Sequence, residues 1–148
     1  MLVALLLLQV AYQGIEEKLP LAAAPQPLPF SHKAHSTVGI KCTDCHAKAL
    51  TAERATIPNL DRCLLCHPAM KKESGPIRWV RVYKLPDFVF FSHASHGKAG
   101  LDCQACHGPV ATRDVLQKEV STSMRNCINC HHTRQAPLDC SRCHELGQ

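Results

Sequence analysis

Ten cysteines and ten histidines in 148 residues form a pattern that few chemistries require. The cysteines fall into five C-x-x-C-H runs with none left over: Cys42, Cys45 and His46; Cys63, Cys66 and His67; Cys103, Cys106 and His107; Cys127, Cys130 and His131; Cys140, Cys143 and His144. Two thiols at this spacing can each form a thioether to one porphyrin vinyl group, and the adjacent imidazole then lies under the ring as an axial iron ligand. Zinc sites also use C-x-x-C pairs, closing a tetrahedron with thiolates, but they need no histidine directly after the second cysteine. A disulfide framework would explain the even count and leave the five histidines unexplained. The pattern predicts five covalently attached haem c groups.

Five histidines remain: His32, His35, His93, His96 and His132. That is the number needed to give each of five irons a second axial ligand. Four of them form two H-x-x-H pairs in closely similar surroundings, Phe30-Ser31-His32-Lys33-Ala34-His35 and Phe91-Ser92-His93-Ala94-Ser95-His96. All five are expected to bind iron. Met70 and Met124 lie near motifs but are poor candidates while enough histidines are present.

The similarity extends into an internal repeat. Residues 30–47 align with 91–108 at a constant offset of 61, without a gap, pairing Phe30 with Phe91, Gly39 with Gly100 and Ile40 with Leu101. The halves then diverge. His67 is followed by Pro68, whereas His131 is followed by His132, and only the second half carries a further motif, Cys140 to His144. The extra histidine travels with the extra haem motif, which is the best sequence argument that His132 is a ligand.

With H-x-x-H, C-x-x-C-H and C-x-x-C-H-H elements, the chain resembles the small tri- and tetrahaem class III cytochromes c. In that family the first histidine of H-x-x-H serves the haem of the next motif, the second serves a later one, and a histidine directly after a motif serves the following haem. The resemblance implies the pairs His32 with His46, His35 with His67, His93 with His107, His96 with His131 and His132 with His144. From Gln26 onward the chain also resembles the pentahaem cytochrome subunit of alternative complex III. That resemblance rests on Pro27 to His35, Ile77 to His93 and Ser123 to His131. It implies a subunit collecting electrons within a membrane-bound quinol-oxidising complex.

The polypeptide that must position these groups is small. At about 30 residues per haem it cannot build a large apolar core of its own, so the expected fold is a loop-rich multihaem cytochrome c. A few short α-helices would wrap a haem core, with minimal β structure. Residues 26–75 are expected to form a dihaem lobe and 76–148 a trihaem lobe, after a signal-like or anchor segment and linker at 1–25. Helices are predicted near Asn59–Met70, with Asn59 as N-cap, near Pro109–Val120, and from Ser121 or Thr122 to His132. Ile77–Leu85 reads as an extended connector ended by Pro86-Asp87, and its Trp79 and Tyr83 are expected to pack on a haem.

Leu2–Val10 is apolar but too short to span a membrane. It is like the apolar region of a secretory signal without the positive charges that usually precede one, and Ala11-Tyr12-Gln13 before Gly14 is a candidate cleavage site. Covalent c-type haem is attached outside the bacterial cytoplasm, so an exported protein on the periplasmic side, or an extracellular one, is expected. The formal charge of +5 would suggest acidic partners, but ten propionates and five ferric centres bring it to about zero oxidised and about −5 reduced. Nucleic acid is therefore not an expected partner. With every iron closed by two imidazoles no substrate could reach the metal, and imidazole ligation favours lower potentials than methionine. Electron transfer between redox protein partners is the expected function. A multihaem reductase would keep one iron open, often with lysine replacing a motif histidine, and all five motifs here end in histidine. Association with a membrane complex, and assembly into a homo-oligomer or haem filament, stay open.

Overall fold

The computed structural model describes residues 18–70 and 76–145. The apolar run Leu2–Val10 and the candidate cleavage site lie outside the described residues. Among the described residues, six short α-helices carry the fold: α1 (His32–Thr37), α2 (Cys42–Cys45), α3 (Leu60–Leu64), α4 (His93–Lys98), α5 (Gln104–His107) and α6 (Met124–Thr133). Two 3-10 turns, Val110–Thr112 and Cys140–Arg142, accompany them. Among the described residues there is no strand, only one antiparallel bridge between Val89 and His144. The loop-rich architecture with minimal β matches the expectation from sequence.

The two H-x-x-H segments fold alike because they carry the same local signals. Ser31 and Ser92 are N-caps whose hydroxyls accept from Ala34 N–H at 3.0 Å and Ser95 N–H at 3.2 Å. At the other end Gly39 (φ 84°) and Gly100 (φ 71°) take the left-handed conformation that a side chain resists. Ile40 N–H then reaches His35 O and Leu101 N–H reaches His96 O, the bonds that close a Schellman motif.

The predicted helices fare differently. α6 begins after Ser123, whose hydroxyl accepts from Asn126 N–H at 3.4 Å, close to the expected start. α3 follows Asn59 but stops at Leu64, short of Met70. Cys66 and His67 both bond to Cys63 O, and Pro68 disfavours helical geometry at His67. Asn59 makes no side-chain cap bond; its amide donates to Asp61 Oδ2 at 3.2 Å. The helix expected at Pro109–Val120 is a correction: only the turn Val110–Thr112 forms. Tertiary bonds take its backbone groups, since Arg113 O accepts from Lys33 N–H and Tyr83 Oη accepts from Glu119 and Val120 N–H. Arg113 clamps Glu119 with two bonds of 2.7 Å.

Long-range bonds hold the chain together. Leu21 N–H donates to Lys118 O, and Gln26 exchanges two bonds with the Val80 backbone. Phe90 N–H bonds Cys143 O, tucking the fifth motif against the entry to α4. Apolar packing contributes little: Leu60 is the only buried apolar side chain among the described residues, while Leu65 (71%), Phe88 (68%) and Phe90 (52%) stand exposed. Helices of four to ten residues are marginal in isolation. A chain so folded needs apolar surface from something besides its own side chains.

Candidate haem-binding site

Six of the ten candidate axial histidines point their Nδ1 at a backbone carbonyl. His35 bonds Ser31 O (2.7 Å), His46 Thr56 O (2.7 Å), His93 Glu53 O (2.8 Å), His96 Ser92 O (2.8 Å), His131 Pro137 O (2.7 Å) and His144 Phe88 O (3.3 Å). A carbonyl can only accept, so each Nδ1 carries a proton and Nε2 is the nitrogen left to face a metal. Metal-binding histidines are held in this way, with tautomer and ring orientation fixed from behind. Sequence reasoning missed these carbonyl partners because a loop carbonyl has no residue-type signature. Thr56 does mark itself structurally: it is a non-glycine residue at φ 65°, a costly conformation that presents its carbonyl to His46.

The rings also approach one another at a telling distance. Ring centres lie 6.1 Å apart for His35 and His67, 6.3 Å for His93 and His107, and 6.1 Å for His96 and His131. A metal–imidazole bond is about 2.0–2.1 Å and the ring centre about 1.1 Å beyond it, so two imidazoles across one metal have centres about 6.2–6.4 Å apart. Three of the five pairs that the class III resemblance implies thus stand at the separation of a shared metal. The His93 and His107 planes are also only 9° from parallel. His32 and His46 interact electrostatically, and His32 is driven down to about 4 by burial first, then by His46 and His35. Burial, then His93 and His46, likewise lowers His107. Both are therefore neutral near pH 7, as a ligand must be. His132 is exposed on α6, and among the described residues no ring contact joins it to His144.

Phenylalanines steady the paired histidines. Phe30 stacks on His35 (4.6 Å, 20°) and meets His32 edge-on (4.8 Å, 85°). Phe91 does the same to His96 (4.5 Å, 27°) and His93 (4.8 Å, 89°). Tyr83 lies edge-on against His107 at 4.7 Å. Trp79 meets Phe30 at 5.9 Å.

The cysteines show which motifs are neighbours. Burial raises the Cys45 thiol, Arg62 lowers it, and Asp44 and Cys63 raise it further, so the first and second motifs adjoin. Burial also raises Cys103, and Cys42 raises it further, which places the third motif beside the first. Cys106, raised by burial, feels Cys130, and Cys127, raised by burial, feels Cys106 and Cys143. The spatial order is second, first, third, fourth, fifth, which differs from the order along the chain.

The residues fit haem. All ten thiols are free, and seven are exposed. Among the described residues no three His, Cys, Asp or Glu side chains converge into a cage, as a zinc site requires. Opposed imidazoles suit a metal whose four in-plane ligands come from a macrocycle. Trp79 Nε1 is buried without a partner among the described residues. It lines a groove with Arg78 and Arg81, so a propionate carboxylate there would satisfy it. No helix among the described residues is long and apolar enough to cross a membrane.

Comparison with known proteins agrees. The family described as Class III cytochrome C matches residues 9–87, more than half of the chain, and "Cytochrome c7 and related cytochrome c" matches 89–145. The menaquinone reductase multihaem cytochrome c subunit of Nitratidesulfovibrio vulgaris is 28% identical over 145 residues, covering 80% of this chain and 67% of that relative. The high-molecular-weight cytochrome c of the same organism is 29% identical over 129 residues, covering 71% of this chain and 23% of that relative.

Proposed function

The chain belongs to the class III cytochrome c family, a multihaem electron-transfer family, and on that premise we propose that it is a pentahaem electron carrier with every iron closed by two histidines. Cys42, Cys45, Cys63, Cys66, Cys103, Cys106, Cys127, Cys130, Cys140 and Cys143 hold the haems. His46, His67, His107, His131 and His144 are the proximal ligands, and His32, His35, His93, His96 and His132 the distal ones. The observation that carries this reading is the 6.1–6.3 Å separation of three histidine pairs, each joining an H-x-x-H histidine to a motif histidine. Haem supplies reversible one-electron chemistry; this polypeptide orients the imidazoles, closes both axial positions and strings the attachment sites in a row.

Two similarities support a choice of partner. The relative from Nitratidesulfovibrio vulgaris is a subunit of a menaquinone reductase, and the sequence resembles the pentahaem subunit of alternative complex III. Both concern membrane quinones. The chain is accordingly an exported subunit on the outer face of the cytoplasmic membrane, exchanging electrons with a quinone-coupled complex rather than turning over a substrate at iron. Haem stoichiometry by intact mass and pyridine haemochrome should give five per chain, and ferric EPR should show low-spin iron alone. A strong high-spin signal would replace this reading with that of a reductase having an open iron. Membrane fractionation tests the partner: the chain should co-migrate with a quinone-active complex rather than appear free in the periplasm.

A further inference from the structure

The two repeats do more than resemble each other; they dock on each other through equivalent bonds. Lys33 N–H donates to Arg113 O at 3.0 Å. Sixty-one residues away on each side, Ala94 N–H donates to Ala52 O, also at 3.0 Å, with the halves exchanging roles. α1 packs on the turn Val110–Thr112. α4 packs on the equivalent stretch after His46, where a Cβ on Gly97 would stand 2.6 Å from Leu50 Cδ2. When residue i of one partner meets j of the other, and j meets i, the interface is isologous and has a two-fold axis. A residue can meet its own equivalent only at that axis. Cys42 and its equivalent Cys103 lie within electrostatic reach of each other, as do His46 and its equivalent, His107.

We propose that the chain contains an internal two-fold joint, with the first and third motifs at its axis, in which each half's H-x-x-H helix is held in ligating position by the segment following the other half's first motif. Glu53 shows the means directly, since its carbonyl accepts both the backbone N–H (3.0 Å) and Nδ1–H (2.8 Å) of His93. On the other side Asp114 accepts from Ser31 Oγ at 2.7 Å and faces Lys33 Nζ at 3.7 Å. Gly97 and Leu50 are thus positioning residues for His93, and their equivalents Ser36 and Ala111 serve His32. The inference rests on the bis-histidine reading above.

The test uses the haem-loaded full chain, with haem count measured first. Gly97→Val forces α4 away from Leu50 and should unseat His93: one low-spin ferric centre becomes high-spin or shifts in midpoint potential, at unchanged haem count. Adding Leu50→Ala should restore the parent spectrum. The two-fold relation makes a second demand. Ala111→Leu should disturb one centre in the other half, and adding Ser36→Gly should restore it. Unchanged spectra and potentials in Gly97→Val, no rescue by Leu50→Ala, or a silent Ala111→Leu would each overturn the joint. Should Gly97→Val yield no loaded protein, recovery of yield by Leu50→Ala supports the joint and continued failure overturns it. High-spin iron in the parent would defeat the bis-histidine reading, and thermal melting of the same variants and their rescues would then decide the joint alone.

Discussion

The first repeat, residues 30–47, and the second, 91–108, share a helix, a cap, a glycine stop and a haem motif, yet their surroundings differ. The Ser31 hydroxyl caps α1 and also donates to Asp114, whereas the Ser92 hydroxyl among the described residues only caps α4. His93 is fixed from behind by Glu53 of the other half, while the corresponding place beside His32 holds the Lys33–Asp114 ion pair. After the repeats, Pro68 ends the first half's helix early, and α6 continues to Thr133 past the fourth motif. The same local code can therefore serve two roles. It fixes a histidine pair on a short helix, and the neighbouring half decides how firmly each ring is held.

That contrast can be broken most severely at the attachment sites. Replacing Cys103 and Cys106 by alanine should remove one haem and disorder both halves, because the third motif touches the first and fourth. Replacing Cys140 and Cys143 should also remove one haem but spare the first half. Intact mass and the low-spin EPR spectrum separate the two cases. Next in size, His93→Ala should convert one ferric centre to high-spin, and a thiol-independent haem count should stay at five.

Smaller changes sharpen the comparison. Tyr83→Phe leaves the Glu119 and Val120 N–H groups without their acceptor and should cost about 1–3 kcal/mol in a thermal or denaturant melt. Ser31→Ala should cost about 1–2 kcal/mol and Ser92→Ala about 1 kcal/mol, since both lose a cap and only Ser31 also loses the bond to Asp114. Equal losses would mean that the Asp114 contact contributes nothing. Gly39→Ala and Gly100→Ala should cost about the same, roughly 1–2 kcal/mol each, because both force a side chain into the left-handed region.

Much of the candidate site was legible beforehand because it is written in residue types at fixed spacing. Cys42 to His46 and its four counterparts carry the haem c attachment pattern in residue types at fixed spacing, and Phe30 to His35 recurs at Phe91 to His96. Helix ends were less legible. Ser123 starts α6 as its capping chemistry suggests, but residues 109–120 carry a helix-compatible sequence and form only a turn. There, bonds to Tyr83 and Lys33 outweigh a weak local preference.

The sequence by itself determined the attachment pattern, the supply of histidines and the repeat, since each is read from residue types and their positions along the chain. Tertiary structure alone decided three things. It set which carbonyl stands behind each imidazole, which rings face each other at 6.1–6.3 Å, and that the first motif adjoins both the second and the third. Apart from the local carbonyls behind His35, His46, His96 and His131, those relations join groups more than ten residues apart. No spacing rule encodes them, because chain folding rather than chain order sets the distance across which they act.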